Sequence, residues 1–146
     1  MATRLSRLRD SVRHLAEIAE LDHDTYLTGP YWTVLAERYL HVAIEAMLDT
    51  ANHIIAAEGF RKPLQLRDCL AILGEEQVIP RAFAQDILPL VGLRNRLVHV
   101  YTEIDHDLIH EFLTLRLGDF ATYARYIVAY VEKDTDAGEP GGDALE

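Results

Sequence analysis

The densest concentration of chemically capable side chains in this 146-residue sequence is Gly92-Leu93-Arg94-Asn95-Arg96-Leu97-Val98-His99-Val100-Tyr101. Two arginines, an amide, an imidazole and a phenol follow an apolar run from Ile87 to Leu93. That set suits phosphate chemistry. An imidazole takes a proton from a ribose 2'-hydroxyl near neutral pH, and a guanidinium stabilises the negative charge that builds on phosphoryl oxygens in the transition state. Such a step requires no metal.

A second polar group lies upstream, where His41, Glu45, Asp49, Asn52 and His53 drift along one side of an otherwise apolar helix. The strip faces either solvent or a cleft. His106 and His110, like His41 and Glu45, are four residues apart, the spacing of two metal ligands on one helix. A metal needs more than a pair. The chain has no His-Glu-x-x-His segment and only one cysteine, so hydrogen-bonded histidines without metal or cofactor are the expectation. Cys69, beside Leu70 and Ile72, reads as a small buried residue rather than a nucleophile.

The elements that must position these groups are helices. Leu5, Leu8, Val12, Leu15 and Ala19 recur at steps of three and four and predict a first helix over about Thr3 to Leu21. Thr28-Gly29-Pro30 then breaks the chain, and Leu40, Ile44, Met47, Ala51 and Ile54 predict a long second helix that Gly59 closes. Gln65 to Leu73 reads as a short helix. Pro80 to Val98 reads as a fourth main element, kinked near Gln85 because Pro89 removes a donor. Leu113, Leu117, Phe120, Ala124, Ile127 and Val131 predict one last continuous helix, capped by Asp105 or Asp107. No segment alternates with period two, so the fold class is all-α, an up-down bundle of four main helices plus a short one.

Composition bounds the function. With 49% hydrophobic residues the chain can bury a core, and its lone cysteine excludes a disulfide framework. No stretch approaches the roughly 18 apolar residues of a membrane span, so a cytoplasmic protein is expected. The net charge of -10 opposes a nonspecific nucleic-acid coat. The stretch 134–146 carries five acids, no base, and Gly138, Pro140, Gly141 and Gly142. Residues 1–133 therefore read as the domain and 134–146 as an acidic, disordered tail. A small basic site inside the domain remains compatible with RNA.

The stretch from Arg94 to Tyr101 resembles the signature of HEPN-domain ribonucleases, an Arg and a polar residue followed some positions later by His. The variant with a Tyr two residues beyond the His is similar to that of the HepT-like toxins, and stands here as Arg94, Asn95, His99 and Tyr101. Flanking segments are similar too: Ile44-Glu45, Asp49-Thr50-Ala51-Asn52-His53, Val91-Gly92-Leu93 and Ile104-Asp105. The resemblance spans about Leu5 to Lys133 and implies a HEPN-like homodimer whose two motif helices line a shared cleft. It implies a toxin of a toxin-antitoxin module, a metal-independent endoribonuclease acting on tRNA or mRNA. Its partner would be a minimal nucleotidyltransferase antitoxin that attaches AMP to the motif tyrosine. His99 would then be the acid-base group, Arg94 the phosphate and transition-state ligand, Asn95 its polar helper and Tyr101 the modified residue. Arg96, Glu45 and Asp49 would bind RNA or support the site. Val100 stands where such proteins often carry an acidic residue.

Ideal-helix geometry complicates this assignment. Positions five apart differ by about 140°, so Arg94 and His99 do not share a face, whereas Arg96 lies closer to His99. Either the helix loosens after Val98 or the arginine serves a partner subunit's cleft. A competing arrangement pairs both arginines with acids such as Glu45 or Asp49 and leaves His99 to cap the helix C-terminus. The functional alternative is a noncatalytic HEPN protein that binds a nucleotide or acts as an adaptor for the nucleotidyltransferase.

Overall fold

The computed structural model describes residues 2–99 and 103–138, and among them every regular element is helical. The helices are α1 (Ala2–Ala19), α2 (His23–Thr28), α3 (Trp32–Glu58), α4 (Leu66–Glu75), α5 (Arg81–Ile87), α6 (Pro89–Val98), α7 (His106–Leu115) and α8 (Gly118–Gly138). Taken in chain order, α1, α3, α5 with α6, and α7 with α8 correspond to the four main helices of the expected bundle, and α4, packed on α3 and α5, to its short helix. No described helix is long and apolar enough to cross a membrane.

The 27-residue α3 is the axis of the domain and packs against α1, α2, α4 and α6. Leu40, Ala43, Ile44, Met47 and Ala51 are fully buried along it, since their three- and four-residue steps keep one broad face inward. α1 supplies the complementary stripe, Leu5, Leu8, Leu15 and Ile18. Gly59 ends α3 with φ 70°, a left-handed conformation that costs glycine nothing and that other residues rarely adopt. At Gly74, a Cβ would come within 2.7 Å of the Ala84 Cβ, so the close approach of α4 and α5 depends on the missing side chain.

α8 crosses α3 through large side chains. The Tyr123 ring is fully buried, and its hydroxyl donates to the Met47 carbonyl at 2.8 Å, while the Tyr130 hydroxyl donates to Glu58 at the far end of α3. Tyr123→Phe is therefore expected to lower unfolding free energy by about 1 kcal/mol through the lost hydrogen bond alone. Urea denaturation checks this, and an unchanged midpoint would show that the bond contributes nothing net.

Three differences from the sequence expectations have physical causes. First, α2 occupies part of the expected break. Its six residues are too few to show a period, and it is held by Asp22, which accepts from the Thr25 amide at 2.7 Å. Second, the expected last helix is two, α7 and α8, hinged at Arg116-Leu117. The Arg116 guanidinium grips Asp119 at 2.9 Å and the Asp86 carbonyl at 3.4 Å. Leu117 and Phe120 still pack into the core, which is why the heptad pattern runs through the turn unbroken. Third, α8 continues past Lys133 to Gly138, because extending a packed helix costs far less than nucleating one. The proposed tail boundary thus falls inside a helix, and residues 139–146 lie outside the described residues. The expected helix from Pro80 to Val98, kinked near Gln85, is instead two: α5 ends at Ile87 and Pro89 takes the first position of α6, where its missing N–H forfeits no helical bond.

Candidate active site

The strip on α3 is met by side chains from α1 and α6. Glu45 and Asp49, one helical turn apart, are half-buried, and each receives an arginine from a different neighbouring helix. From α6, Arg94 Nε donates to Glu45 Oε2 at 2.5 Å, and its Nη1 donates to Asn95 Oδ1 at 3.2 Å. From α1, Arg7 Nη1 lies 3.9 Å from Asp49 Oδ2. His41 Nε2 stands 3.6 Å from the Glu45 oxygen that holds Arg94. The strip is thus met by arginines from two neighbouring helices and is not a plain solvent face.

The Arg94 side chain is 24% exposed and Glu45 34%. At that depth the pair is partly shielded from solvent, so its geometry is better defined than that of a surface ion pair. A guanidinium has five N–H donors. Two are committed to Glu45 and Asn95, which leaves donors on both terminal nitrogens for a phosphate while the planar group stays fixed from behind.

α6 ends at Val98, and His99 has extended backbone, φ -87° and ψ 113°, with its amide donating to the Arg96 carbonyl at 3.3 Å. The helix therefore stops at His99. The departure lies in ψ, beyond the His99 Cα, so the chain leaves the helix only after His99 and the offset of about 140° from Arg94 still holds for its Cβ. The competing arrangement is half present: Arg94 pairs with Glu45 and His99 is the cap residue of α6, but Asp49 faces Arg7 on α1.

Arg96 follows a different course. Two helical positions separate the arginines by about 200°, and Arg96 lines a cavity of about 490 Å³ with Leu93, Leu108 and Phe112, between α6 and α7. Tyr101, with Val100 and Thr102, lies outside the described residues. The chain is described again from Glu103 into Asp105, whose carboxylate accepts from the Leu108 amide at 3.1 Å and caps α7.

Of the remaining histidines, His53 is exposed on α3 and three others lie near partners elsewhere. His110 contacts the Leu21 carbonyl at 3.1 Å, His23 contacts Asp107 at 2.6 Å, and His106 lies 3.7 Å from Glu37. Cys69 is buried, donates to Asn52 Oδ1 at 3.2 Å, and burial pushes its thiol pKa up, which favours the inert thiol. Sequence reasoning did not join Arg7 to the strip. The available signal was that Arg7, Ser11 and His14 repeat at helical spacing on the polar side of α1.

An all-α bundle that fixes an arginine beside the end of a motif-bearing helix, with a histidine just past it, has the form of a HEPN domain. A family model described as ribonuclease HepT-like matches residues 8–127. The chain is 30% identical over 129 residues to the tRNA nuclease HepT of Aphanizomenon flos-aquae, with 88% of each chain covered. It is 32% identical over 85 residues to the mRNA nuclease HepT of Shewanella oneidensis, covering 58% of this chain and 64% of that one. Among solved structures, the tri-AMPylated Shewanella oneidensis HEPN toxin in complex with MNT antitoxin superposes with a TM-score of 0.81 at 23% identity, over 88% of this chain and 96% of that one. The chain belongs to the HepT-like ribonuclease family.

Proposed function

We propose that this chain is the toxin of a toxin-antitoxin module, an endoribonuclease that cuts tRNA or mRNA without metal, and that Arg94, Asn95 and His99 carry the reaction. The observation that carries the reading is the anchorage of Arg94 by Glu45 and Asn95 at the strip on α3. His99 takes the proton from a ribose 2'-hydroxyl, and that oxygen attacks the adjacent phosphorus. The bond to the 5'-oxygen breaks, the leaving oxygen acquires a proton, and the product ends in a 2',3'-cyclic phosphate. Arg94 binds the phosphoryl oxygens as their charge rises. Asp49 supports the strip, and Arg96 sits on the opposite flank of α6, where it serves RNA or partner contacts rather than the reacting phosphate.

The enzyme acts in the cytoplasm as a homodimer, which brings two copies of Arg94 and His99 together and concentrates positive charge that the acidic monomer lacks. Apolar surface next to the motif is consistent with a subunit contact: Val98, immediately before His99, is 41% exposed. Light scattering at micromolar concentration tests this, and a monomer there would remove the shared cleft.

Silencing falls to a minimal nucleotidyltransferase. The Tyr101 oxygen attacks the α-phosphorus of ATP, a P–O bond forms, pyrophosphate leaves and the phenol loses its proton. The resulting phosphodiester is a competing charge-assisted partner for the arginines that meet the strip. The test is coexpression with the cognate nucleotidyltransferase. The chain mass rises by one or more AMP units located on Tyr101, RNA cleavage stops, and Tyr101→Phe escapes both effects. An unmodified Tyr101 in a fully inhibited complex would mean silencing by occlusion. Purified toxin that leaves both tRNA and mRNA intact would favour the noncatalytic adaptor.

A further inference from the structure

We infer that α1 supplies a second RNA subsite, adjoining the Arg94 site along α3, in which Arg7 binds a backbone phosphate and the stacked pair His14 and Tyr39 receives a base. The inference rests on the ribonuclease reading and extends it. Arg7, His14 and Tyr39 line one open depression of about 610 Å³ at the α1–α3 seam, a size within the range of small-molecule sites. The rings of His14 and Tyr39 stack with centroids 4.5 Å apart and planes 14° from parallel, and both residues are partly exposed. An aromatic platform next to an arginine is the recurring means of holding single-stranded RNA, with stacking for bases and a guanidinium for phosphate.

Position joins this depression to the reacting phosphate. Glu45 and Asp49 are one turn apart, so their side chains start about 5–6 Å from each other. Arg94 on α6 and Arg7 on α1 reach those two acids from different helices. Two guanidiniums on successive turns can hold successive phosphates of one strand. The Arg7 pair is loose, 3.9 Å with both side chains about half exposed, and such a pair contributes little to stability. Arg7 can therefore leave Asp49 for a phosphate at small cost. Of the four arginines on α1, Arg7 is the one that lines the depression, and Asp10 on its rim is held by Arg13 at 2.8 Å.

The test uses the full chain and a fluorescent 20-residue oligonucleotide of mixed sequence, 2'-O-methylated throughout so that it cannot be cut. Arg7→Ala is expected to weaken binding about tenfold, as loss of a hydrogen bond to a charged group does. It should also lower the slope of log affinity against log salt by about 0.7 for each phosphate contact removed. Arg7→Lys recovers part of the loss. On unmodified RNA, the Arg7→Ala defect falls on KM rather than kcat. Asp49→Asn separates this role from a structural one: a binding subsite then grips RNA more tightly, whereas a helix-helix strut is weakened just as by Arg7→Ala. Wild-type protein that cuts RNA, with Arg7→Ala binding as wild type, overturns this subsite alone. Wild-type protein that neither binds the oligonucleotide nor cuts RNA overturns the ribonuclease reading and this subsite with it.

Discussion

His99→Ala is expected to slow RNA cleavage by about 10² to 10⁴, the usual cost of removing a general acid-base group, while the protein stays folded. The structure gives the reason for the second half. His99 is exposed and follows the last residue of α6, so shortening its side chain opens no cavity, and its bond to the Arg96 carbonyl is made by main chain that alanine retains. Stability should stay within about 0.5 kcal/mol of wild type, as for most surface substitutions. Wild-type activity persists in EDTA, and the products carry 2',3'-cyclic phosphate ends. Activity that disappears on chelation, or an alanine variant that still cuts at the wild-type rate, would refute His99 as the group that moves the proton.

The legibility of this protein in its sequence varied with the physical scale of each feature. Elements with three or more turns of periodicity, α1 and α3, were read almost to their ends, and so were two boundaries with specific backbone chemistry, Gly59 after α3 and Asp105 before α7, whereas Pro89 was read as a kink and is a helix start. The six-residue α2 and the hinge at Arg116-Leu117 were not legible. In the hinge, inward-facing Leu117 and Phe120 preserve the hydrophobic period through a turn that Arg116 and Asp119 bridge. The motif positions around Arg94 were visible in one dimension, and Glu45 stood among its named partners, but the division of the two acids between helices was not visible. Whether Asp49 faces α1 or α6 depends on how helices distant in sequence are arranged around α3.

Arg94 and Arg96 should separate sharply in activity. Removing one preorganised donor to a developing oxyanion costs about 10² to 10³ in kcat, and that is the loss expected for Arg94→Ala. Arg96 points into the cavity between α6 and α7, so Arg96→Ala should lower kcat far less, with its effect in RNA affinity or subunit contact. Arg94→Ala leaves Glu45 without its guanidinium, yet Glu45 is 34% exposed and His41 stands 3.6 Å away, so the carboxylate remains solvated and the fold survives. Thermal unfolding near wild type for both variants makes the loss chemical rather than structural. Glu45 then reveals whether the ion pair serves catalysis. If its role is to hold Arg94, Glu45→Ala lowers activity in the wild-type background and adds nothing in the Arg94→Ala background, the non-additivity that defines coupled residues. Additive losses would instead give Glu45 a role of its own, and an inactive Arg96→Ala beside an active Arg94→Ala would transfer the phosphate-binding role to the other flank of α6.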